Sequence, residues 1–190
     1  MIPFNHLGWA FKYMGSAIYP KSVREALCTF LEPVSKDASV LDLGAGTGIL
    51  CEFAYRCRDD LKFTAVDPAE GMLKFAPKYV ETHKASAEAL PFGEACFEAV
   101  FMGEALHHFQ DIDASLREIV RVLQQEGRLF IYDFDVSTFM GKSICTVEKL
   151  FGEPGKFFTP EVLKRVLESH GFSVTISQYG WRYTVDASLY

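Results

Sequence analysis

The sequence predicts an α/β fold, a doubly wound and mostly parallel sheet with helices on both faces, and three observations predict it. First, the apolar, partly β-branched run Val40-Leu41-Asp42-Leu43 enters the turn Gly44-Ala45-Gly46-Thr47-Gly48, and a helical pattern (Ile49, Leu50, Phe53, Ala54) leaves it. Second, a further strand-like run ends in Ala65-Val66-Asp67, roughly 20 residues beyond the glycines, where the next strand of such a unit carries an acid for ribose hydroxyls. Third, strand and helix patterns continue to alternate as far as Phe134, which is the signature of crossover units on a parallel sheet.

Glycine at the turn lets backbone approach a ligand closely, and the unpaired N–H groups at the start of the following helix favour polar or anionic groups. The spacing discriminates between ligands. A dinucleotide loop reads G-x-G-x-x-G, with its third glycine allowing close helix–strand packing. Here the glycines are Gly44, Gly46 and Gly48, and Ile49 fills that third slot. A nicotinamide-dependent oxidoreductase is therefore the weaker reading.

Val40 to Gly48 resembles the first motif of class I, S-adenosylmethionine-dependent methyltransferases, the small-molecule type that includes the ubiquinone and menaquinone biosynthesis group. The resemblance implies a Rossmann-like, seven-stranded sheet with an antiparallel C-terminal strand. It also implies S-adenosylmethionine as methyl donor and S-adenosylhomocysteine as product. Gly44, Ala45, Gly46 and Gly48 would wrap the methionine and ribose part of the cofactor, and Asp67 would hold the ribose diol. Asp42 would order the loop or reach the methionine amino group through water. Pro68 opens the next helical segment, expected over Glu70 to Val80, and Met72 inside it would touch the adenine or ribose edge or simply pack.

The stretch Ala85-Ser86-Ala87-Glu88-Ala89-Leu90-Pro91-Phe92 is similar to the family's second cofactor motif, G-D-A-E-x-L-P-F, after a short third strand expected around His83 to Ala87. Ser86 replaces the Asp that accepts from the adenine amino group; it keeps an acceptor oxygen but brings no charge. Glu88 would assist, and the Ala87 N–H would serve a ring nitrogen. A buried strand, Phe97 to Met102, then leads through Gly103 into Glu104-Ala105-Leu106-His107-His108-Phe109, again similar to the family. Ligands of open α/β sheets bind beyond the carboxyl ends of the strands, so Met102 and Gly103 are assigned to the cofactor side. Neighbouring helical residues differ by about 100°, so only one of the adjacent histidines lines a pocket. His107 is favoured there as a base for an acceptor that must lose a proton, with His108 second and Tyr132 and Asp133 as further candidates.

The remaining elements follow from local pattern. Ser22 precedes an amphipathic helix ending near Pro33, and Leu116, Ile119, Val120 and Leu123 form the stripe of another over about 114 to 123. Arg128 to Phe134 reads as a strand, and Ser137 to Phe158 as an aromatic insertion bordering the acceptor. Thr159-Pro160-Glu161 is an N-cap with Pro at the first helical position, and Gly171 is the matching left-handed stop. Phe172–Gln178 and Arg182–Leu189 then form a closing hairpin around Gly180.

Composition bounds the partners. The 190 residues, 49% hydrophobic and 23% charged, suit one domain with its own core: residues 1–35 as a helical lid segment, with Tyr13 and Tyr19 as lid candidates, and 36–190 as the methyltransferase core. A net charge of −6 makes nucleic acid or an anionic membrane an improbable partner. The five cysteines (Cys28, Cys51, Cys57, Cys96, Cys145) lack C-x-x-C spacing, which suggests free thiols in a reducing cytoplasm and no metal knuckle. No signal peptide and no bilayer-spanning run is read in the sequence. The expected function is methyl transfer to an unidentified small molecule; a non-catalytic cofactor-binding module is the alternative.

Overall fold

The computed structural model describes residues 18–150 and 155–190. Tyr13 and the first 17 residues of the expected lid segment lie outside them. Helix α1 (Lys21–Leu31) precedes strand β1 (Ser39–Leu43), helix α2 (Ile49–Cys57) and strand β2 (Lys62–Val66). A single helical turn, α3 (Glu70–Leu73), and a short strand, β3 (Glu81–His83), complete the first half. The second half runs β4 (Phe97–Gly103), α4 (Ile112–Val122), β5 (Leu123–Phe134), α5 (Phe139–Leu150), α6 (Pro160–Glu168), β6 (Phe172–Tyr179) and β7 (Arg182–Leu189). No helix among the described residues is long and apolar enough to cross a membrane.

The seven strands form one sheet in the order β3-β2-β1-β4-β5-β7-β6. β1 to β5 pair in parallel, while β7 runs antiparallel between β5 and β6. The alternation of side chains along each strand divides the core into two layers. Leu41, Leu43, Val100, Met102, Leu129 and Ile131 face α4 and α6, whereas Val40, Phe63, Ala99, Phe101, Phe130 and Tyr132 face α1 and α2. Full burial of each large aliphatic side chain contributes roughly 1.5–3 kcal/mol, so both layers hold the helices against the sheet.

Several boundaries differ from the sequence reading. The helix expected over Glu70 to Val80 is one turn long, because Gly71 weakens it and Pro77 disfavours helical geometry at the residue before it. β3 lies at Glu81–His83, ahead of the expected His83–Ala87, and pairs with Thr64, Ala65 and Val66 of β2. Ser86 to Glu88 therefore belong to the loop beyond β3. Residues expected as an insertion contain α5. The caps follow local chemistry: Thr159 accepts from the Val162 N–H at 3.4 Å with Pro160 next to it, and Gly171 adopts φ +89°.

The free-thiol reading requires correction. Cys28 on α1 and Cys57 at the end of α2 form a disulfide with Cα atoms 5.3 Å apart; Cys51, Cys96 and Cys145 remain thiols. The pair lies 29 residues apart and meets only because α1 and α2 pack side by side, a relation that cysteine spacing does not encode. Closing a loop of that length is worth about 3.5 kcal/mol in the chain-entropy account. Reduction, or Cys28→Ser, is expected to lower unfolding stability by that amount. Alkylation of the unfolded, unreduced protein followed by mass spectrometry should label three cysteines and not five; five labels would show that the bridge does not form.

Candidate functional site

The carboxyl ends of β1, β2, β4 and β5 lie along one edge, since the parallel register matches Leu43 with Val66 and Gly103 with Tyr132. Chain order reverses between β1 and β4, so the crevice where ligands settle in such sheets opens there. The turn Gly44–Gly48 occupies it. Gly44, Gly46 and Gly48 have φ of +71°, +54° and +71°, a region in which a side chain costs roughly 1–2 kcal/mol. The Gly44 and Ala45 N–H groups donate to the Val66 carbonyl at 2.8 and 3.0 Å, which pins the turn across the ends of β1 and β2.

Packing closes on the turn from two sides. A Cβ at Gly44 would stand 2.5 Å from the Ala105 Cβ, and one at Gly48 would stand 3.1 Å from both the Ala76 Cβ and the Pro77 Cδ. Gly46 is different, as only the Met72 methyl, 3.5 Å away, approaches its Cβ position. Met72 is otherwise buried. Gly44→Ala should combine the φ penalty with the Ala105 overlap and cost about 2–3 kcal/mol of stability, measurable by urea denaturation; an unchanged midpoint would contradict the packing described.

Asp67 stands at the mouth of β2. Its Oδ2 accepts from the Gly46 N–H at 2.8 Å and its Oδ1 from the Ala69 N–H at 2.7 Å. Each carboxylate oxygen has a second lone pair, so the orientation is fixed with acceptor capacity in hand. Burial pushes the Asp67 carboxyl above its usual range, while those two N–H groups oppose the shift. Asp42, at 1% exposure, lies in the interior below the turn, and the Cys51 thiol donates to its Oδ2 at 3.3 Å. Burial pushes its carboxyl up to about 7, the Cys51 hydrogen bonds lower it, and the charge of Asp67 adds to the rise.

The loop beyond β3 is tied to the loop beyond β4 by Glu88. Its Oε1 accepts from the Gln110 and Asp111 N–H groups at 2.8 and 3.2 Å, and the Ser86 hydroxyl also bonds it. Burial raises the Glu88 carboxyl, but these donors outweigh it and hold the group below the usual range. Ala87 is buried, whereas Ser86 and Pro68 are exposed. Glu88 thus braces Ser86, a link that neither residue shows in sequence.

At the end of β4, the Met102 side chain is fully buried in the layer under α4, so only its backbone reaches the edge. Gly103 lies against Tyr19, whose hydroxyl donates to the Gly103 carbonyl at 3.1 Å; a Cβ there would meet the tyrosine ring at 2.6 Å. Tyr132 donates to the Ile18 carbonyl at 2.7 Å. The chain therefore enters directly over the ends of β4 and β5. Glu104 follows at φ +50°, a strained setting of the kind that clusters at functional sites.

The two histidines part as neighbours on a tight turn must. His108 is exposed, while His107 is 2% exposed and turned inward. The Nδ1 of His107 lies 2.9 and 3.0 Å from the two carboxylate oxygens of Asp133, itself buried near the end of β5. Phe134 and Phe157 pack around the imidazole at centroid distances of 5.0 and 5.1 Å. The sequence reading named His107 and Asp133 separately; the structure makes them a pair.

Sheet order, the single reversed strand and the glycine turn before α2 are the architecture of the class I, S-adenosylmethionine-dependent methyltransferase fold. Residues 41–131 match the family described as Methyltransferase domain, and the chain carries that domain, whose class uses S-adenosylmethionine as cofactor. The chain is 33% identical over 134 residues to the malonyl-[acyl-carrier protein] O-methyltransferase of Halorhodospira halophila, covering 67% of this chain and 45% of that protein. It is 34% identical over 111 residues to the ubiquinone/menaquinone biosynthesis C-methyltransferase of Escherichia coli, covering 53% and 44%. The chain thus spans under half the length of these curated relatives. Among solved structures, the SAM-dependent methyltransferase TM1293 of Thermotoga maritima superposes with a TM-score of 0.76 at 20% identity, covering 98% of both chains; that likeness concerns the fold.

Proposed function

We propose that the chain transfers a methyl group from S-adenosylmethionine to a small-molecule acceptor by in-line displacement. One observation carries this reading: a left-handed glycine turn at the switch point whose Gly46 N–H is held by Asp67. The cradle fits the cofactor, because the half-buried Gly46 has φ +54° and only the Met72 methyl, 3.5 Å away, approaches its Cβ position, which leaves room for a ligand beside its backbone. In this reading Gly44, Ala45, Gly46 and Gly48 wrap the methionine and ribose, and Asp67 accepts from the ribose diol. Pro68 and Met72 border the ribose and adenine edge, and Ser86, Ala87 and Glu88 receive the adenine. Met102 and Gly103 close the β4 side through backbone, and His107 is the candidate base. When bound, the cofactor supplies an activated methyl group; the protein aligns the acceptor and excludes water.

The cytoplasmic setting expected from the sequence belongs to this reading too, and the redox state of the Cys28–Cys57 bridge in intact cells is its check. The functional test is calorimetric titration with S-adenosylmethionine, S-adenosylhomocysteine and NAD. Saturable binding of the two adenosyl ligands without NAD is expected. Binding of NAD alone, or of none of the three, would overturn the assignment.

A further inference from the structure

The two edges of the sheet are built differently. β3 closes one side with 3 residues, among them Glu81, whose carboxylate lies 2.8 Å from His83 Nε2. β6 closes the other side with 8 residues, Phe172–Tyr179, which hold register with β7 along their whole length. Edge strands are guarded by shortness, charge, proline or a bulge, because their outer N–H and C=O groups otherwise form a template for another strand. β3 has the first two guards. β6 carries none of the four.

The phase of that strand is fixed. The Tyr190 N–H donates to the Gly171 carbonyl at 3.1 Å, so the hydrogen-bonded pairs with β7 fall on Gly171, Ser173, Thr175, Ser177 and Tyr179. The N–H and C=O groups of Phe172, Val174, Ile176 and Gln178 therefore point away from the sheet. Tyr190 caps the first of these, its hydroxyl donating to the Phe172 carbonyl at 3.1 Å. Val174, Ile176 and Gln178 form an open ladder, and among the described residues no strand lies beside it. A groove of about 610 Å³ is lined by Ile176 and Gln178 and by a stripe of α6 that includes Glu161 and Arg165. Lys164 pairs with Glu168 within that helix at 3.8 Å. Glu161 and Arg165, exposed and one turn apart, make no ion pair among the described residues.

We propose that β6 is an interface at which a second copy of this chain adds its own β6, antiparallel, about a two-fold axis through Ile176. Centring there sets Val174 against the partner's Gln178 and Ile176 against the partner's Ile176, so every outward N–H and C=O from Val174 to Gln178 meets its counterpart. An axis at Thr175 would need the Phe172 carbonyl that Tyr190 already holds. Along the exposed face Thr175 meets the partner's Ser177, a hydroxyl pair of the kind that stabilises sheets, and no like charges oppose each other. Beside the groove the two copies of α6 run in opposite directions. Glu161 then faces the partner's Arg165, and the same pair recurs on the other side of the axis, as a self-complementary contact requires. An uncharged ladder flanked by charges that satisfy themselves under two-fold rotation commits this edge to a second copy. The interface stands apart from the methyl-transfer reading.

Sedimentation of the full chain over a concentration series should show a monomer–dimer equilibrium. Arg165→Glu opposes like charges twice across the axis and should weaken dimerisation by about tenfold or more, as should Glu161→Arg. The two substitutions together exchange the charges and should return the affinity to within about threefold of the parent. Both positions are exposed on α6, so circular dichroism should not change. Ile176→Lys places two cations on the axis and should leave a monomer. Amide exchange reads the register: Val174, Ile176 and Gln178 should slow as protein concentration rises, while Ser173, Thr175 and Ser177 are slow throughout. A chain that stays monomeric up to about 0.5 mM would overturn the interface. So would a dimer indifferent to these substitutions, a double variant that does not recover, or a dimer in which the Val174, Ile176 and Gln178 amides exchange as fast as in the monomer.

Discussion

Asp67→Ala is expected to weaken S-adenosylmethionine binding by about 2–4 kcal/mol, a loss of roughly thirty- to a thousand-fold, with the fold retained. Two effects add. In the proposed binding mode the variant removes a paired acceptor for the ribose hydroxyls, and charge-assisted hydrogen bonds of that kind are the strong ones. It also removes the acceptor for the Gly46 and Ala69 N–H groups, so the turn loses the contact that orients its central glycine. Asp67→Asn separates the two. One amide oxygen can still accept from Gly46, but the charge is gone, so an intermediate loss is expected. Calorimetry with each variant, alongside circular dichroism, is the measurement; unchanged affinity in a folded Asp67→Ala protein would sink the assignment.

Asp42 should give the largest pH effect on stability. Its carboxyl is pushed up to about 7 in the folded protein, first by burial, against about 3.9 for an unperturbed Asp. Between those values the native state binds a proton that the unfolded chain has released. Stability is therefore greatest below the unfolded pKa and falls as pH rises through the folded one, by about 4 kcal/mol as an upper bound. Asp42→Asn removes the ionisation and should flatten the dependence, leaving the variant more stable than the parent at pH 8 and comparable at pH 4. Denaturation midpoints at the two pH values decide it. Equal slopes for parent and variant would show that Asp42 does not carry the titration. Binding a cationic ligand near Asp42 should also release protons below pH 7, seen as buffer-dependent heats.

How much of this was legible differs from feature to feature. The glycine turn and its flanking strand and helix were readable, because φ > 0, apolar run and helix start are local properties of residues 40–54. The Thr159 cap and the Gly171 stop were readable for the same reason. The third strand and the helix after Pro68 were not, since a helix pattern over 70–80 competes with Gly71 and Pro77 and with the demands of an edge strand. The Glu88–Ser86 brace, the Tyr19 contact with Gly103 and the Cys28–Cys57 bridge left no periodic trace in the chain.

What the sequence by itself determined was the doubly wound sheet, the class of cofactor loop and the position of Asp67, all set by short-range pattern or by the length of one crossover unit. Only the tertiary structure decided that His107 turns inward and that Asp133 meets it, because the register of β4 against β5 places two residues 26 positions apart within hydrogen-bonding distance. It likewise decided that Asp42 is buried away from water, where a carboxyl is disfavoured in its charged form. Local geometry is written in neighbouring residues; the pairing and desolvation of charges depend on which strands the sheet sets side by side.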